Sequence, residues 1–287
     1  MRDFSQDHRW LSINTATLRR QADLVGIVEA CARAGIHAID PWRDQVAAVG
    51  LARAVEAVKD AGLQLSGYCR GGMFTADSAR LPEARDDNRR AVDEAAALGA
   101  SCLVLVVGGL PQYSRPGSAP SRDLLAARAQ VEEGIATLLD CARSAGMPLA
   151  LEPLHPMYAA DRACVNTLAQ ALDICDRLDP KRTGGIGVAL DVYHVWWDPA
   201  LWHGIERAGK ERLLAYHVCD WLVPTRDMLN DRGMMGDGVI DLKRVRAAVE
   251  AAGYAGYSEV EIFSDAWGER PLAEVLDVCI ARHKEVV

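Results

Sequence analysis

The strongest constraint on the fold is an alternation that runs along the whole chain. Short apolar runs rich in β-branched residues are followed by longer stretches of Ala, Leu, Arg and Glu with helical spacing. The predicted strands are Trp10–Asn14, Ile36–Asp40, Leu63–Cys69, Cys102–Val107, Pro148–Glu152, Ile186–Asp191, Leu213–Cys219 and Tyr257–Ile262. The predicted helices are Ala22–Ala34, Gln45–Ala61, Ala84–Leu98, Leu124–Ala145, Thr167–Leu178, Leu201–Ala208, Leu242–Ala252 and Pro271–Lys284.

The number of these units favours one fold over another. Spread over eight strand–helix units, the 287 residues give about 36 residues per unit, which suits a (β/α)8 barrel of typically about 250 residues. Several predicted helices end in Ala-Gly, as at Gly35 and Gly146, which is typical of a glycine C-cap. A doubly wound open sheet usually has fewer units and often a Gly-rich first turn, which "LSINTATLRR" lacks. We therefore predict a single α/β domain, a TIM barrel over residues 1–287.

Composition narrows the class of protein. Half of the residues are apolar and 25% are charged, as in a soluble globular protein. The formal charge of -8 argues against a nucleic-acid or anionic-membrane surface, because phosphate binding relies on excess Lys and Arg. The sequence has neither an apolar run near 18 residues nor a signal peptide, so we predict a cytoplasmic location and no membrane partner. The eight cysteines stand singly, which predicts reduced and mostly buried thiols.

Polar side chains recur at the ends of four consecutive predicted strands. In a TIM barrel the functional residues lie at the carboxyl ends of the strands, and inward side chains alternate with outward ones. Glu152 ends "LALE", Asp191 ends "GVALD", His217 lies in "AYHVCD" and Glu261 in "SEVEIF". By this alternation we expect the four side chains to meet at one end of the barrel.

The residue types at these four positions indicate a metal site. Three carboxylates cannot share a dry pocket unless positive charge neutralises them. Three oxygen ligands and one imidazole favour Mn²⁺, Mg²⁺ or Co²⁺, and Zn²⁺ is a further candidate. Taken singly, an acid at a strand end is more often a helix N-cap or an ion-pair partner, and a histidine more often a hydrogen-bonded core residue. Matching positions on four successive strands favour joint coordination.

Further side chains are candidates for contact with a substrate. His194 follows Asp191 as D-x-x-H and could lie over the same pocket. His155 comes just after Glu152 and could either face the pocket or cap a loop. Arg232 lies in a Gly-rich segment, where its guanidinium could bind a hydroxyl or carboxylate, with a surface arginine as the alternative.

Other positions near the strand ends are candidates for the pocket wall or for supporting roles. Trp10, Trp42 and Tyr68 could form the wall of a polyol pocket, or could simply pack loops against the barrel. Glu259 faces inward by alternation but lies deeper, where it would need an arginine or a bound proton. Asp220 is predicted to be a supporting or loop residue. We expect the segments Gly71–Arg80, Leu110–Ser121 and Trp221–Met235 to select the substrate.

Several catalytic motifs are missing from the sequence. The five lysines fall in predicted helices or loops, which argues against a Schiff-base lysine at a strand end. Neither the phosphate-binding pattern G-x-x-x-x-G-K-[ST] nor the nucleophile elbow G-x-S-x-G occurs.

Five sequence segments together resemble the xylose isomerase-like TIM barrels, a superfamily of sugar isomerases and epimerases, inosose dehydratases and endonuclease IV. They are "LALEPLHP", "GVALDVYHVWWDP", "YHVCDW", "RGMMGDGVID" and "GYAGYSEVEIFS". The resemblance covers nearly the whole chain and is strongest between Leu149 and Phe263. It implies that the metal ligands are Glu152, Asp191, His217 and Glu261.

Within the ketose 3-epimerase branch, the resemblance implies that His194 and Arg232 contact the substrate. It further implies that Glu152 and Glu261 exchange protons with it. The expected function is therefore metal-dependent isomerisation or epimerisation of a ketose or keto-polyol through a metal-stabilised enediolate. Members of the family often form dimers or tetramers, so a homo-oligomer is expected.

Three alternatives remain beside this prediction. A keto-sugar or inosose with a leaving group β to the carbonyl would be cleaved by a lyase that uses the same enolate. A sugar-binding barrel with a degenerate site would bind without reaction. An endonuclease IV-like enzyme is disfavoured, because the D-R-H motif of that enzyme reads Asp231-Arg232-Gly233 here and so lacks its histidine.

Overall fold

A ring of parallel strands forms the centre of the molecule. The structure is a computed structural model, and it describes residues 2–111, 119 and 121–287. The strands of the ring are β1 (Leu11–Asn14), β2 (Ala38–Asp40), β3 (Gln64–Leu65), β4 (Tyr68–Gly72), β5 (Leu103–Val106), β6 (Leu149–Leu151), β7 (Ile186–Asp191), β8 (Leu213–Val218) and β11 (Ser258–Val260). Their order is β3-β2-β1-β11-β8-β7-β6-β5-β4, and all neighbours are parallel. The predicted TIM barrel is confirmed.

The third predicted strand, Leu63–Cys69, differs from the prediction. It is divided into β3, which pairs with β2, and β4, which pairs with β5. The two pieces are the edges of the nine-stranded sheet and are joined through Ser66 and Gly67, so the chain itself closes the ring. A Cβ atom on Gly67 would lie 2.3 Å from a carboxylate oxygen of Asp40, so glycine permits a close approach of the backbone here.

Helices surround the ring. They are α1 (Leu24–Arg33), α2 (Arg43–Val49), α3 (Leu51–Asp60), α4 (Leu81–Leu98), α5 (Leu124–Ser144), α6 (Leu168–Leu178), α7 (Val192–Val195), α8 (Leu201–Arg212), α9 (Leu242–Ala251), α10 (Asp265–Gly268) and α11 (Leu272–Val286). Short 3-10 turns cover Thr15–Leu18 and Pro156–Tyr158. The predicted helix Gln45–Ala61 is two helices, because Gly50 interrupts it with a φ of 86°. The predicted glycine caps are confirmed, since Gly35, Gly62, Gly146 and Gly253, which follow the alanines at four predicted helix ends, all have positive φ.

The interior of the barrel is lined by small side chains. Ala150, Ala189 and Ala215 are buried on its inner face, just below the carboxyl ends of their strands. The larger aliphatic side chains pack between the strands and the helices. All eight cysteines are free thiols, and all but the half-buried Cys141 are buried, as predicted. In the described part of the chain, no helix combines the length and apolarity that a membrane crossing needs.

A small antiparallel ribbon lies after β8. It consists of β9 (Asp220–Trp221) and β10 (Arg232–Gly233). The carboxylate of Asp220 accepts hydrogen bonds from the backbone N–H groups of Trp221, Gly236 and Ile240, at 2.9, 2.9 and 3.0 Å. Asp220 therefore organises the loop, in agreement with its predicted role, and the ribbon carries Arg232 toward the carboxyl ends of the strands.

Candidate metal centre

Four buried side chains converge at the carboxyl ends of the strands. Glu152 directly follows β6, Asp191 ends β7, His217 belongs to β8 and Glu261 directly follows β11. One potential ligand atom from each lies within 4.8 Å of those from the other three. The structure thus brings together the four residues that the sequence predicts as metal ligands.

Several polar atoms in this cluster form no hydrogen bond with any residue that the structure describes. Nδ1 of His217 lies 3.4 Å from Oε1 of Glu152 and 3.7 Å from Oε2 of Glu261, without forming a hydrogen bond. Oε1 of Glu152 and both ring nitrogens of His217 have no hydrogen-bond partner among the described residues. Buried polar atoms are nearly always satisfied in folded proteins. The donor set and its unpaired atoms therefore fit a divalent cation.

The pKa shifts in this cluster arise from burial and from the charges of neighbouring groups. Burial raises the pKa of Glu152 to about 7, and the charge of Glu261 adds to the shift. Burial would also raise the pKa of Asp191, but Arg232 beside it lowers that pKa to about 2. For His217 burial opposes protonation, yet the surrounding carboxylates raise its pKa well above the usual value. The cluster has a deficit of positive charge, which a bound cation would supply.

Arg232 reaches into this cluster from β10. Its Nη1 donates to Oδ2 of Asp191 at 2.8 Å and to Oε2 of Glu261 at 3.1 Å. Its guanidinium also lies 4.4 Å from the centroid of the Tyr193 ring, a cation–π contact. The residue is only 4% exposed, so the surface-arginine alternative is wrong.

His194 lies beside Arg232 and is buried. Its Nδ1 accepts a hydrogen bond from the backbone N–H of His155 at 3.2 Å, and burial lowers its pKa to about 3, so the ring is neutral. We therefore assign the ring proton to Nε2. That nitrogen lies 3.2 Å from Nη2 of Arg232. Two N–H donors thus lie side by side, an arrangement that an acceptor oxygen between them would satisfy.

A cavity of about 440 Å³ opens above the cluster, within the range of about 300–1,000 Å³ that is usual for small-molecule pockets. Its polar lining includes Glu152, Glu261, His194 and Arg232. Trp42 lines it as predicted, with its ring edge-on to Phe263 at 5.2 Å.

The predictions for the other three substrate contacts are not matched. His155 caps the turn Pro156–Tyr158, where its Nδ1 accepts the Met157 N–H, so the loop-cap alternative is confirmed. Tyr68 points outward and donates its hydroxyl hydrogen to Glu94 of α4 at 3.0 Å. Trp10 precedes β1 and therefore lies at the amino-terminal end of the barrel, under the guanidinium of Arg2. The sequence places Trp10 near a strand end, but it is the wrong end.

The structure also brings in residues that sequence reasoning missed. The additional polar or aromatic lining residues are Arg70, Tyr158, Asp161, Arg162 and Phe263. Phe263 follows Glu261 by two positions, so strand alternation could have indicated it. The loop that holds Tyr158 and Arg162 has no periodicity, and no signal in the sequence points to it.

Two of the three segments predicted to select the substrate contribute to the cavity, through Met73, Leu229 and Arg232. The third segment, Leu110–Ser121, includes residues 112–118 and 120, which lie outside the described residues.

A second polar cluster lies deeper in the barrel. Glu259 accepts hydrogen bonds from Nδ2 of Asn14 at 2.9 Å and from Oγ of Ser66 at 2.8 Å. Its Oε1 is 3.4 Å from Nε2 of His217, and Asp40 completes the group. Burial raises the pKa of Asp40 well above its usual range and also raises the pKa of Glu259, which fits the expectation of a bound proton here. The sequence did not indicate Asp40.

Comparison with known proteins identifies the family. The profile of the xylose isomerase-like TIM barrel family matches residues 28–282, which is most of the chain. The chain belongs to this family. No protein of curated function matches it in sequence.

Solved structures agree with this assignment. Protein SMc04130 from Sinorhizobium meliloti 1021 shares 60% identity and a TM-score of 0.91, over 96% of this chain and 98% of that one. The IolI protein, whose crystal structure holds a zinc atom, shares 20% identity and a TM-score of 0.80, over 96% and 97% of the two chains. D-psicose 3-epimerase, crystallised with D-fructose, shares 18% identity and a TM-score of 0.72, over 95% and 96%. The last two similarities concern the fold alone.

Proposed function

We propose that the protein is a divalent-metal-dependent isomerase or epimerase of a ketose or keto-polyol. The observation that carries the proposal is the convergence of Glu152, Asp191, His217 and Glu261 within 4.8 Å, with unpaired buried atoms on two of them. These four side chains would hold the cation. Bound there, it would act as a Lewis acid that polarises a carbonyl and stabilises negative charge on its oxygen. Mn²⁺, Mg²⁺ and Co²⁺ suit the donor set best, and Zn²⁺ is the further candidate.

The four side chains divide into two pairs by their access to the cavity. Asp191 and His217 are 0% exposed and do not line it, whereas Glu152 and Glu261 are 4% and 3% exposed and do. The first pair can therefore only hold the cation, while both glutamates can also reach a substrate.

Proton transfer follows from this division. A carboxylate within reach of a bound substrate can act as a general base, and both glutamates line the cavity. If one glutamate removes a proton next to the carbonyl and the other returns it to the opposite face, the product is an epimer. If a single glutamate moves the proton between adjacent carbons, and the hydroxyl proton passes to the former carbonyl oxygen, the product is an aldose–ketose isomer.

Substrate oxygens have a ready binding place between His194 and Arg232. The two N–H donors, 3.2 Å apart, both lack an acceptor between them, and both residues line the cavity. A carbonyl or hydroxyl oxygen bound there would relieve the contact between donors and would be oriented for proton transfer.

The test is a screen of ketoses, inososes and 3-keto-glycosides with Mn²⁺-supplemented protein in D₂O, followed by NMR. We expect deuterium to enter at the carbon next to the carbonyl of at least one compound. Glu152→Gln and Glu261→Gln should each slow this exchange by a factor of about 10² or more. Glu133→Gln, on the exposed face of α5, is the matched control and should exchange at the normal rate. Unchanged exchange in both site variants would contradict the proposal.

The same spectra separate the alternatives. An epimer or an aldose–ketose pair supports the proposed reaction, whereas loss of water or of an aglycone identifies a lyase that uses the same proton abstraction. Binding of polyols by a protein that neither holds Mn²⁺ nor catalyses exchange would identify a sugar-binding barrel instead.

A further inference from the structure

Two arginines of the cavity wall have no anionic partner in the part of the chain that the structure describes. Arg70, on β4, and Arg162, in the loop after β6, line the same cavity as Glu152 and Glu261. Arg70 lies over the ring of Trp42 at 5.9 Å, and Arg162 over the ring of Tyr158 at 5.6 Å. Neither guanidinium has a hydrogen-bond acceptor or a carboxylate within reach among the described residues.

The lack of a carboxylate partner distinguishes these two arginines from most of the other described ones. Most others are engaged by carboxylates, as Arg43 is by Asp87 and Glu94 at 2.6 Å each. An arginine guanidinium offers five N–H donors that match the planar geometry of a carboxylate. Arg70 and Arg162 place two guanidinium groups on one cavity wall, each stacked on an aromatic ring instead of paired with an acid among the described residues. Together they form a surface that can bind an oxyanion.

The charge of the cavity supports the same conclusion. The carboxylates of the metal centre carry three negative charges, which a divalent cation and Arg232 balance. Beyond them, Arg70 and Arg162 add two positive charges against the single negative charge of Asp161. One positive charge is left over, which matches a carboxylate better than a phosphate, because a phosphate carries up to two negative charges at neutral pH.

We infer that the substrate is a keto-sugar acid whose carboxylate binds Arg70 and Arg162. This inference rests on the proposed function, which places the carbonyl end of the substrate at Glu152 and Glu261. Of the arginines in the described part of the chain, only Arg232 lies within 4.0 Å of a metal-centre carboxylate. Arg70 and Arg162 are therefore available to a different part of the same substrate.

The test compares three ligands that share one carbon skeleton: D-fructose, D-fructuronate and D-fructose 6-phosphate. Their affinities for Mn²⁺-loaded protein are measured by isothermal titration calorimetry. We expect D-fructuronate to bind at least tenfold more tightly than D-fructose and more tightly than the phosphate ester. Equal affinity of D-fructuronate and D-fructose, a preference for the phosphate, or no binding of D-fructuronate would each overturn the inference.

Variants assign the preference to the two residues. Arg70→Gln and Arg162→Gln should each weaken D-fructuronate binding about tenfold or more and change D-fructose binding less than twofold. Arg244→Gln is the matched control, since Arg244 also stacks on an aromatic ring, that of Trp202 at 4.0 Å, but does not line the cavity. An equal loss for both ligands would mean that the arginines only pack the wall, and would overturn the inference.

A further measurement covers the case in which a variant does not fold. If a variant does not fold, the salt dependence of the wild-type protein serves instead, because added NaCl should weaken binding of D-fructuronate much more than binding of D-fructose. Calorimetry reports binding and NMR reports exchange, so the two tests have separate readouts. A protein that prefers the acid yet catalyses no exchange would contradict the proposed function alone, and one that exchanges neutral ketoses without that preference would contradict this inference alone.

Discussion

Arg212 and Arg232 are both buried and surrounded by carboxylates, but they lie at opposite ends of the barrel. Their hydrogen-bond networks also differ. Arg212, at the amino-terminal end, donates to Asp179 at 2.9 Å, to the carbonyl of Ile186 at 2.8 Å and to Asp176 at 3.2 Å. Arg232, at the carboxyl end, leaves its Nε without a partner among the described residues. The first network is complete and the second is open.

Two buried histidines repeat this contrast. His283 stacks on Phe4 with ring centroids 4.5 Å apart, and burial together with the positive charge of Arg246 lowers its pKa to about 3, so it stays neutral. His217 is surrounded by carboxylates that raise its pKa. Neither ring has a hydrogen-bond partner among the described residues. A buried imidazole without a hydrogen-bond partner therefore indicates a metal site only where neighbouring carboxylates supply negative charge.

The largest effect is expected from substitution of the two arginines. Arg212→Met should lower the free energy of unfolding by about 3–5 kcal/mol, because it leaves the carboxylate of Asp179 buried without compensation. Arg232→Met should also destabilise the metal-free protein, but Mn²⁺ should recover part of the lost stability, because the cation neutralises two of the three carboxylate charges. Urea unfolding with EDTA and with Mn²⁺ measures both. Rescue of Arg212→Met by Mn²⁺ would show that the two ends do not differ as described.

Metal binding itself should stabilise the fold by a smaller amount. At a free Mn²⁺ concentration 100 times the dissociation constant, the free energy of unfolding should rise by about 2.7 kcal/mol over the EDTA-treated protein. Asp191→Asn should abolish this increment, because it removes a ligand. Asp176→Asn, at the amino-terminal end, is the control and should retain it. An unchanged increment in Asp191→Asn would exclude Asp191 from the metal centre.

Substitution of Glu259 should lower the affinity of the site for Mn²⁺ without abolishing metal binding. Glu259 lies 3.4 Å from the ring nitrogen of His217 that faces away from the other ligands, where it can orient the imidazole and raise its basicity. Glu259→Gln should lower the affinity for Mn²⁺ about tenfold, at the lower end of the usual range for such partners. Titration of metal-free protein with Mn²⁺, followed by electron paramagnetic resonance, measures it. An affinity equal to that of Glu133→Gln would contradict this role.

The smallest effect concerns the pH dependence that His283 contributes. Its pKa is about 3 in the fold, where burial and the positive charge of Arg246 oppose protonation, against about 6.5 in an unfolded chain. Its contribution is therefore complete above pH 6.5 and is lost as the pH falls from 6.5 toward 3. Between pH 7.5 and 5.5 the loss should be about 1 kcal/mol.

His283→Leu tests this contribution, because leucine has no proton to bind. The difference in unfolding free energy between this variant and the wild-type protein should change with pH by about the stated amount, and urea unfolding in EDTA at both pH values measures it. A constant difference would show that His283 binds its proton as readily in the fold as in the unfolded chain.

The sequence predicted the repeating architecture because that information is local. The spacing of apolar residues identified each strand and helix, and Gly35, Gly62, Gly146 and Gly253 ended four helices at the predicted places. The errors arise where the backbone conformation changes locally, which the spacing of apolar residues does not predict. Gly50 divides one predicted helix, and the close approach of Gly67 to Asp40 accompanies the division of one predicted strand.

The candidate metal centre was predictable for the same reason. Strand alternation and strand direction together place Glu152, Asp191, His217 and Glu261 at one end of a barrel, and both follow from the sequence once the fold is known. Tyr68 and Trp10 show the limit of that reasoning. Proximity to a strand end says neither which face a side chain takes nor which end of the barrel it occupies.

The amino-acid sequence specifies a barrel with acids and an imidazole at the ends of its strands. Only the folded chain shows that Arg232 enters the cluster, that Glu259 lies next to His217, and that Arg70 and Arg162 share one cavity wall, where neither forms an ion pair among the described residues. These contacts join residues that are far apart in the chain or lie in loops without periodicity. Long-range packing determines such contacts, and no local pattern of residues encodes them.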